Sequence, residues 1–187
     1  MKKEIAVAMV VMTLSLVSVV SVNTNQAGDP YLDKIDSPDF FQTDPDYGGF
    51  EGGGGTYCGP VAASNALMWL DAHGFGNIVD DTTDRKKDQH DLIDILGSEN
   101  YMDSIDGTGA FGLTRGLNRY LNERGYNVTF RSEGWRNVPD YVNVLATKPQ
   151  VPWIKEAVTG ANSGCLLNVG WYEYYNNNNT YVRKGGH

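Results

Sequence analysis

The sequence is poor in the side chains that most often carry site chemistry. It has two cysteines, Cys58 and Cys165, and three histidines, His73, His90 and His187. Two cysteines allow at most one disulfide, the usual state of such a pair in an exported chain. Against that pairing, Cys165 opens the strand-like run 165–172 and reads as a packed side chain. One histidine beside scattered carboxylates, His90 with Asp91 and Asp94, is a weak metal-ligand pattern. The acidic stretch 80–91 lacks the ordered Asp, Gly and Glu positions of a calcium loop, and both it and His90 read as solvated. Positive charge is short as well. A formal net charge of −8 argues against nucleic acid, whose affinity comes from neutralising phosphates with Lys and Arg. No Gly-rich phosphate loop, no internal repeat and, beyond residue 20, no run apolar enough to span a bilayer is present.

What is present begins at the N-terminus. Met1-Lys2-Lys3 precedes an apolar stretch from Ile5 to Val20, and small and polar residues follow. That is the layout of a secretory signal peptide: basic region, hydrophobic region, cleavage zone. Cuts after Ser21 or Ala27 both fit, and an uncleaved anchor is the alternative. Removal takes away a net +1 and leaves the mature part near −9. The expected organisation is a signal peptide over 1–27, an extended lead-in over 28–38 and one domain over 39–187.

Thr56-Tyr57-Cys58-Gly59-Pro60 follows a loop of glycines, 52–55, and leads into an almost wholly apolar segment. Glycines let backbone approach a bound substrate. Proline is tolerated in a first helical turn, and Gly74 supplies a stop, so the spacing predicts a core helix over 59–73. A thiol at its N-terminus feels the positive end of the helix dipole, which favours thiolate over thiol. Cys58 is thus a candidate nucleophile, set against the ordinary role of a lone cysteine as a small buried hydrophobe. Further helices are expected over 89–96, 113–124 and 152–158, and strands over 127–131, 166–175 and 180–183. The last two are joined by the hairpin turn 176–179, four asparagines. Helices first and sheet afterwards is the α+β pattern, with two parts that can form a cleft.

A nucleophilic thiol needs a base. His73 lies at the far end of the same helix, about 22 Å away at 1.5 Å per residue. His187 follows Gly185-Gly186 at the end of a hairpin strand.

Gln42-Thr43-Asp44, then Tyr57-Cys58-Gly59-Pro60 with its helix, then Gly185-Gly186-His187 resembles the papain-like cysteine peptidases. The nearest likeness is to the bacteriocin-processing, leader-cleaving peptidase-like domains of bacteria. The likeness spans residues 39–187. It implies a helical part with a central Cys-bearing helix, packed on a C-terminal antiparallel sheet. It implies Cys58 as the attacking sulfur, His187 as base and then acid, and Gln42 with the Cys58 N–H as oxyanion donors. The spacer between Gln42 and Cys58 is longer than the family's. The family's residue that orients the imidazole lies downstream of the histidine, so a sequence ending at His187 is expected to be a fragment with an incomplete sheet.

The resulting expectation is an exported cysteine peptidase acting on a peptide or protein substrate through a thioester, with no cofactor, no nucleic-acid partner and no stable membrane span after signal removal. Cleavage of double-glycine leaders fits less well, because those domains belong to ATP-driven transporters and this chain has no phosphate loop. The alternatives are a catalytically inactive secreted binding module, with Trp171, Tyr172, Tyr174 and Tyr175 lining a groove, or another amide hydrolase or acyl transferase, such as a transglutaminase-like enzyme, using the same nucleophile.

Overall fold

The structure, a computed structural model, describes residues 5–17 as backbone, and residues 40–134, 137–159, 163–175 and 180–186. The lead-in 28–38, the asparagine turn 176–179 and His187 lie outside the described residues.

The chain is α+β. In order, the elements are β1 (Ile5–Val17), α1 (Cys58–Ala72), α2 (Arg85–Gly97), α3 (Ala110–Glu123), β2 (Asn127–Glu133), β3 (Asn143–Ala146), α4 (Val151–Thr159), β4 (Ser163–Tyr175) and β5 (Thr180–Gly186). The strands form one sheet in the order β3-β2-β1-β4-β5. β1 is antiparallel to both neighbours, pairing Val11–Val17 with β2 and Ile5–Ser15 with β4. The terminal hairpin of β4 and β5 therefore rests on a third strand, β1. The Val-, Ile- and Thr-containing run expected as a signal peptide also has strand propensity, and composition does not separate the two. Nor is the sheet wholly antiparallel: β3 runs parallel to β2, with a register shift at Ser132/Glu133.

α1 behaves as its sequence dictates. Val61 N–H closes the first turn on the Tyr57 carbonyl at 3.0 Å, and Pro60 occupies a first-turn position that needs no donor. The helix buries Val61, Ala63, Leu67, Met68, Trp69 and Leu70. It ends at Ala72, and Gly74 takes a φ of +104°, a conformation that costs other residues strain. Leu67 and Leu70 share the main core with Leu92 and Leu96 of α2, Leu117 and Leu121 of α3, and Phe130 and Leu166 of the sheet. α1 thus packs against α2, α3 and the sheet, and α3 reaches the sheet as well.

α2 starts at Arg85 rather than at residue 89, because the Asp84 carboxylate accepts the Lys87 N–H at 3.1 Å and caps the helix. That bond, followed by one from the Tyr47 hydroxyl, holds the Asp84 carboxyl below its ordinary range. The stretch before and within α2 is not simply solvated charge: Asp88, Gln89 and His90 are buried. Asp88 accepts bonds from the Thr82 N–H at 3.1 Å and the Thr82 hydroxyl at 2.5 Å. Gln89 reaches Ser64 at 3.1 Å and Asn65 at 2.6 Å on α1. These bonds satisfy groups whose burial would otherwise be costly.

α3 carries Tyr120, whose buried hydroxyl donates to the Ile78 carbonyl at 2.6 Å. Burial pushes its phenol up to about 12 from 10.0. A folded-state value above the unfolded one means that the neutral phenol's contribution is complete below about pH 10 and is lost as pH rises through about 12. Tyr120→Phe is expected to cost about 1–2 kcal/mol at neutral pH, by orphaning that carbonyl. It should also flatten the fall in urea midpoint between pH 10 and 12. A variant whose midpoint falls as steeply as wild type would refute this.

Candidate functional site

Cys58 is the first residue of α1, half-buried and not joined to Cys165 by a disulfide. Its own N–H stands in the first helical turn, where helix geometry supplies no acceptor. The N-cap residue, Tyr57, makes no side-chain capping bond to it. The chain arrives there through a tight turn in which Gly52, Gly53 and Gly54 all have positive φ, and the Tyr57 N–H donates back to the Gly54 carbonyl at 3.0 Å. On the other side, the loop between α2 and α3 crosses the start of α1. A Cβ on Gly59 would meet Thr108 at 2.9 Å. Thr108 is held in turn by the Ser104 hydroxyl at 2.7 Å.

Gln42 reaches the same turn although it lies sixteen positions before Cys58. Its side-chain amide donates to the Gly54 carbonyl at 2.9 Å and to the Gly55 carbonyl at 3.3 Å. Its backbone lies so close to Gly54 that a Cβ there would sit 1.6 Å from the Gln42 carbonyl oxygen, at a φ of +74°. Gly54→Ala is therefore expected to dislodge the Gln42 segment. Hydrolysis by the variant should fall about 10²-fold or more if Gln42 serves as an oxyanion donor, with most of the helical circular dichroism intact. Full activity in the folded variant would disprove the coupling.

The segment from Phe40 to Tyr57 has a core of its own. Phe40, Phe50 and Tyr57 form a second small core with Val61 of α1 and Ile93 of α2. Phe50 is stacked between Tyr57 and His90, with ring centroids 5.2 and 4.5 Å away. His90, 4 % exposed, is therefore a buried residue rather than a solvated one, and its Nε2 has no hydrogen-bond partner among the described residues. Polar ties fix the segment's outer side. Lys86 bonds Asp46 at 2.5 Å and Asp44 at 3.2 Å, and the Tyr47 hydroxyl bonds Asp84 at 2.9 Å. The Asp46 N–H, then Lys86, keep the Asp44 carboxyl below its usual range.

The histidines separate as follows. His73 caps the far end of α1, bonded to the Trp69 carbonyl at 2.7 Å and stacked on the Trp69 ring. His90 is enclosed by aromatic rings. His187 lies outside the described residues, and the strand leading to it ends with Gly186 paired to Gly170. So the structure brings Gln42 to the glycine turn ahead of Cys58, and leaves His73 at the helix's other end. Among the described residues, no group of three or more His, Cys, Asp or Glu side chains could hold a metal ion, and no helix is long and apolar enough to cross a membrane.

A cleft of about 920 Å³ opens beside this turn, between the glycine loop and helices α2 and α3. Glu51 and Tyr57 line one end with Asp94; Tyr101, Tyr120 and Arg124 line the other. Sequence reasoning did not bring them together in one site. Tyr57 was in view as the neighbour of Cys58, but nothing local marks Asp94 as facing it across a helix. Comparison with family models, with curated proteins and with solved structures gives no match to this chain.

Proposed function

We propose that the chain is a secreted cysteine peptidase of papain-like arrangement, in which Cys58 attacks the carbonyl carbon of a peptide bond. The observation that carries this reading is the position of Cys58: a thiol at the first residue of a buried helix, outside any disulfide, behind a glycine turn that Gln42 buttresses. Positive partial charge at a helix start favours a developing anion there. The tetrahedral oxyanion is held by the Cys58 N–H and by the Gln42 amide, which gives up its longer, exposed bond to Gly55. His187 removes the thiol proton and returns it to the leaving amine. The C–N bond breaks as the thioester forms, and water, deprotonated by the same imidazole, releases the acid and restores the thiol.

The test is selective alkylation. Iodoacetamide at sub-stoichiometric dose is expected to label Cys58 ahead of Cys165 and to abolish peptide hydrolysis in proportion to the labelled fraction. Equal labelling of the two thiols, or hydrolysis that survives full modification of Cys58, would end the proposal.

A further inference from the structure

His90 is a buried titratable side chain that the proposed mechanism does not use. It stands on α2, and its aromatic cover comes from a single stretch of chain. Phe50 stacks on its ring at 4.5 Å, while Tyr47 and Phe40 close on it at 5.4 and 6.3 Å. The Phe40–Tyr57 segment is thus seated on α2 through this ring. Nε2 is the buried side-chain atom that lacks a hydrogen-bond partner among the described residues. Nδ1 is 3.9 Å from the Asp91 carboxylate, beyond hydrogen-bond reach.

We propose that His90 is a pH-sensitive latch, which holds the Phe40–Tyr57 segment against α2 when neutral and releases it when protonated. With its proton on Nδ1, toward Asp91, the neutral ring presents Nε2 as a bare lone pair among the rings. Protonation puts an N–H and a positive charge there with no acceptor, and a buried donor left unsatisfied is costly. Release gives the imidazolium water instead. The charged neighbours offset little of that cost. On the segment, Asp44 is tied to Lys86 at 3.2 Å, and the Tyr47 hydroxyl to Asp84 at 2.9 Å. On α2, Asp91 is tied to Lys87 at 2.5 Å, and Lys86 adds positive charge over the Phe40 ring at 5.7 Å. Asp94, one turn on from His90, is the carboxylate best placed to welcome an imidazolium. Burial pushes its carboxyl up, so its own negative charge is already hard to keep. α1 adds only the apolar Val61 to this small core. A ring that is neutral when covered and freely charged when released stabilises the closed form at neutral pH and above. That contribution is lost as pH falls through the range in which histidines titrate. The latch does not depend on the peptidase reading. Where that reading holds, release also carries away Gln42 and the turn ahead of Cys58, and hydrolysis stops in acid.

Amide exchange of the full chain, followed residue by residue by NMR between about pH 7.5 and about pH 5, tests this. The Asp44, Gly53 and Tyr57 amides, bonded within the segment, are expected to lose protection at least about tenfold in acid. Leu117 and Tyr120 of α3 should keep theirs, and the loss should follow the titration of the His90 ring signals. The outer ties do not share in this transition. A bond from the Asp46 N–H holds the Asp44 carboxyl below its ordinary range, and one from the Lys87 N–H does the same for Asp84. His90→Phe keeps a stacking ring with nothing to protonate, and leaves His73 and His187 to titrate as before. Its segment should stay protected throughout. A wild-type segment that remains protected down to about pH 5 overturns the latch. Acid release that persists unchanged in folded His90→Phe overturns it as well. Acid release in a chain with no thiol-dependent hydrolysis at any pH leaves the latch standing and ends only the peptidase reading.

Discussion

Cys58→Ala is expected to lower hydrolysis of a fluorogenic peptide by at least about 10³-fold, the scale on which loss of a covalent nucleophile is felt. The unfolding midpoint should barely move, because the side chain is half-buried and makes no disulfide. Cys58→Ser separates chemistry from packing. It preserves size and hydrogen bonding but replaces the sulfur with a hydroxyl that lacks comparable nucleophilicity, so its rate should fall nearly as far. If either variant hydrolyses substrate at the wild-type rate, the sulfur is not the nucleophile. The same assay resolves peptidase from acyl transferase. An added primary amine competes with water for a thioester, and a transferase should give amide product in excess over acid. The peptidase reading expects acid.

Some of this was legible in the residues, and some was written at a distance. The helix over Cys58–Ala72 could be read because its punctuation is local: glycine and proline at one end, Gly74 at the other, and apolar residues between. α3 could be read for the same reason, with Leu113, Leu117 and Leu121 in period and Gly125 at a φ of +85°. The burial of His90 could not be read. Its cover comes from Phe40, Tyr47 and Phe50, isolated aromatics in a glycine- and aspartate-rich stretch with no period of its own. β3 escaped notice because it is four residues long and exists by virtue of its pairing with β2. At the site, Cys58 stands out by sequence alone. The meeting of Gln42 with Gly54 does not, because a close backbone approach between two loop segments leaves only a glycine as its trace. The cleft lay furthest out of reach: Glu51, Asp94 and Tyr101 come from three separate segments, and only folding makes them neighbours.

The N-terminal run is where two readings of the same residues make opposite demands. Export followed by a cut after Ser21 or Ala27 would remove a strand that lies between β2 and β4, and among the described residues those two strands do not pair with each other. A chain begun at Gly28 would keep β4 and β5 as a hairpin and β2 with β3 as a short parallel pair, each marginal alone. It would also expose two facing rows of unpaired backbone groups, an open invitation to association. The helical core depends less on β1, since Leu67, Leu70, Leu92, Leu117 and Leu121 pack among themselves. Deletion of residues 1–27 is therefore expected to leave α1, α2 and α3 protected in amide exchange. Asn127–Glu133 and Ser163–Tyr175 should exchange at least about 10²-fold faster, as their opening free energies fall by roughly 3 kcal/mol or more. The single cooperative unfolding transition should broaden or split. A synthetic peptide of residues 5–17 supplied in trans should restore protection to both strands at once, because the pairing is backbone to backbone on both edges. Unchanged protection and an unchanged midpoint in the shortened chain would show that the run serves targeting alone, and that the sheet of the exported protein closes without it.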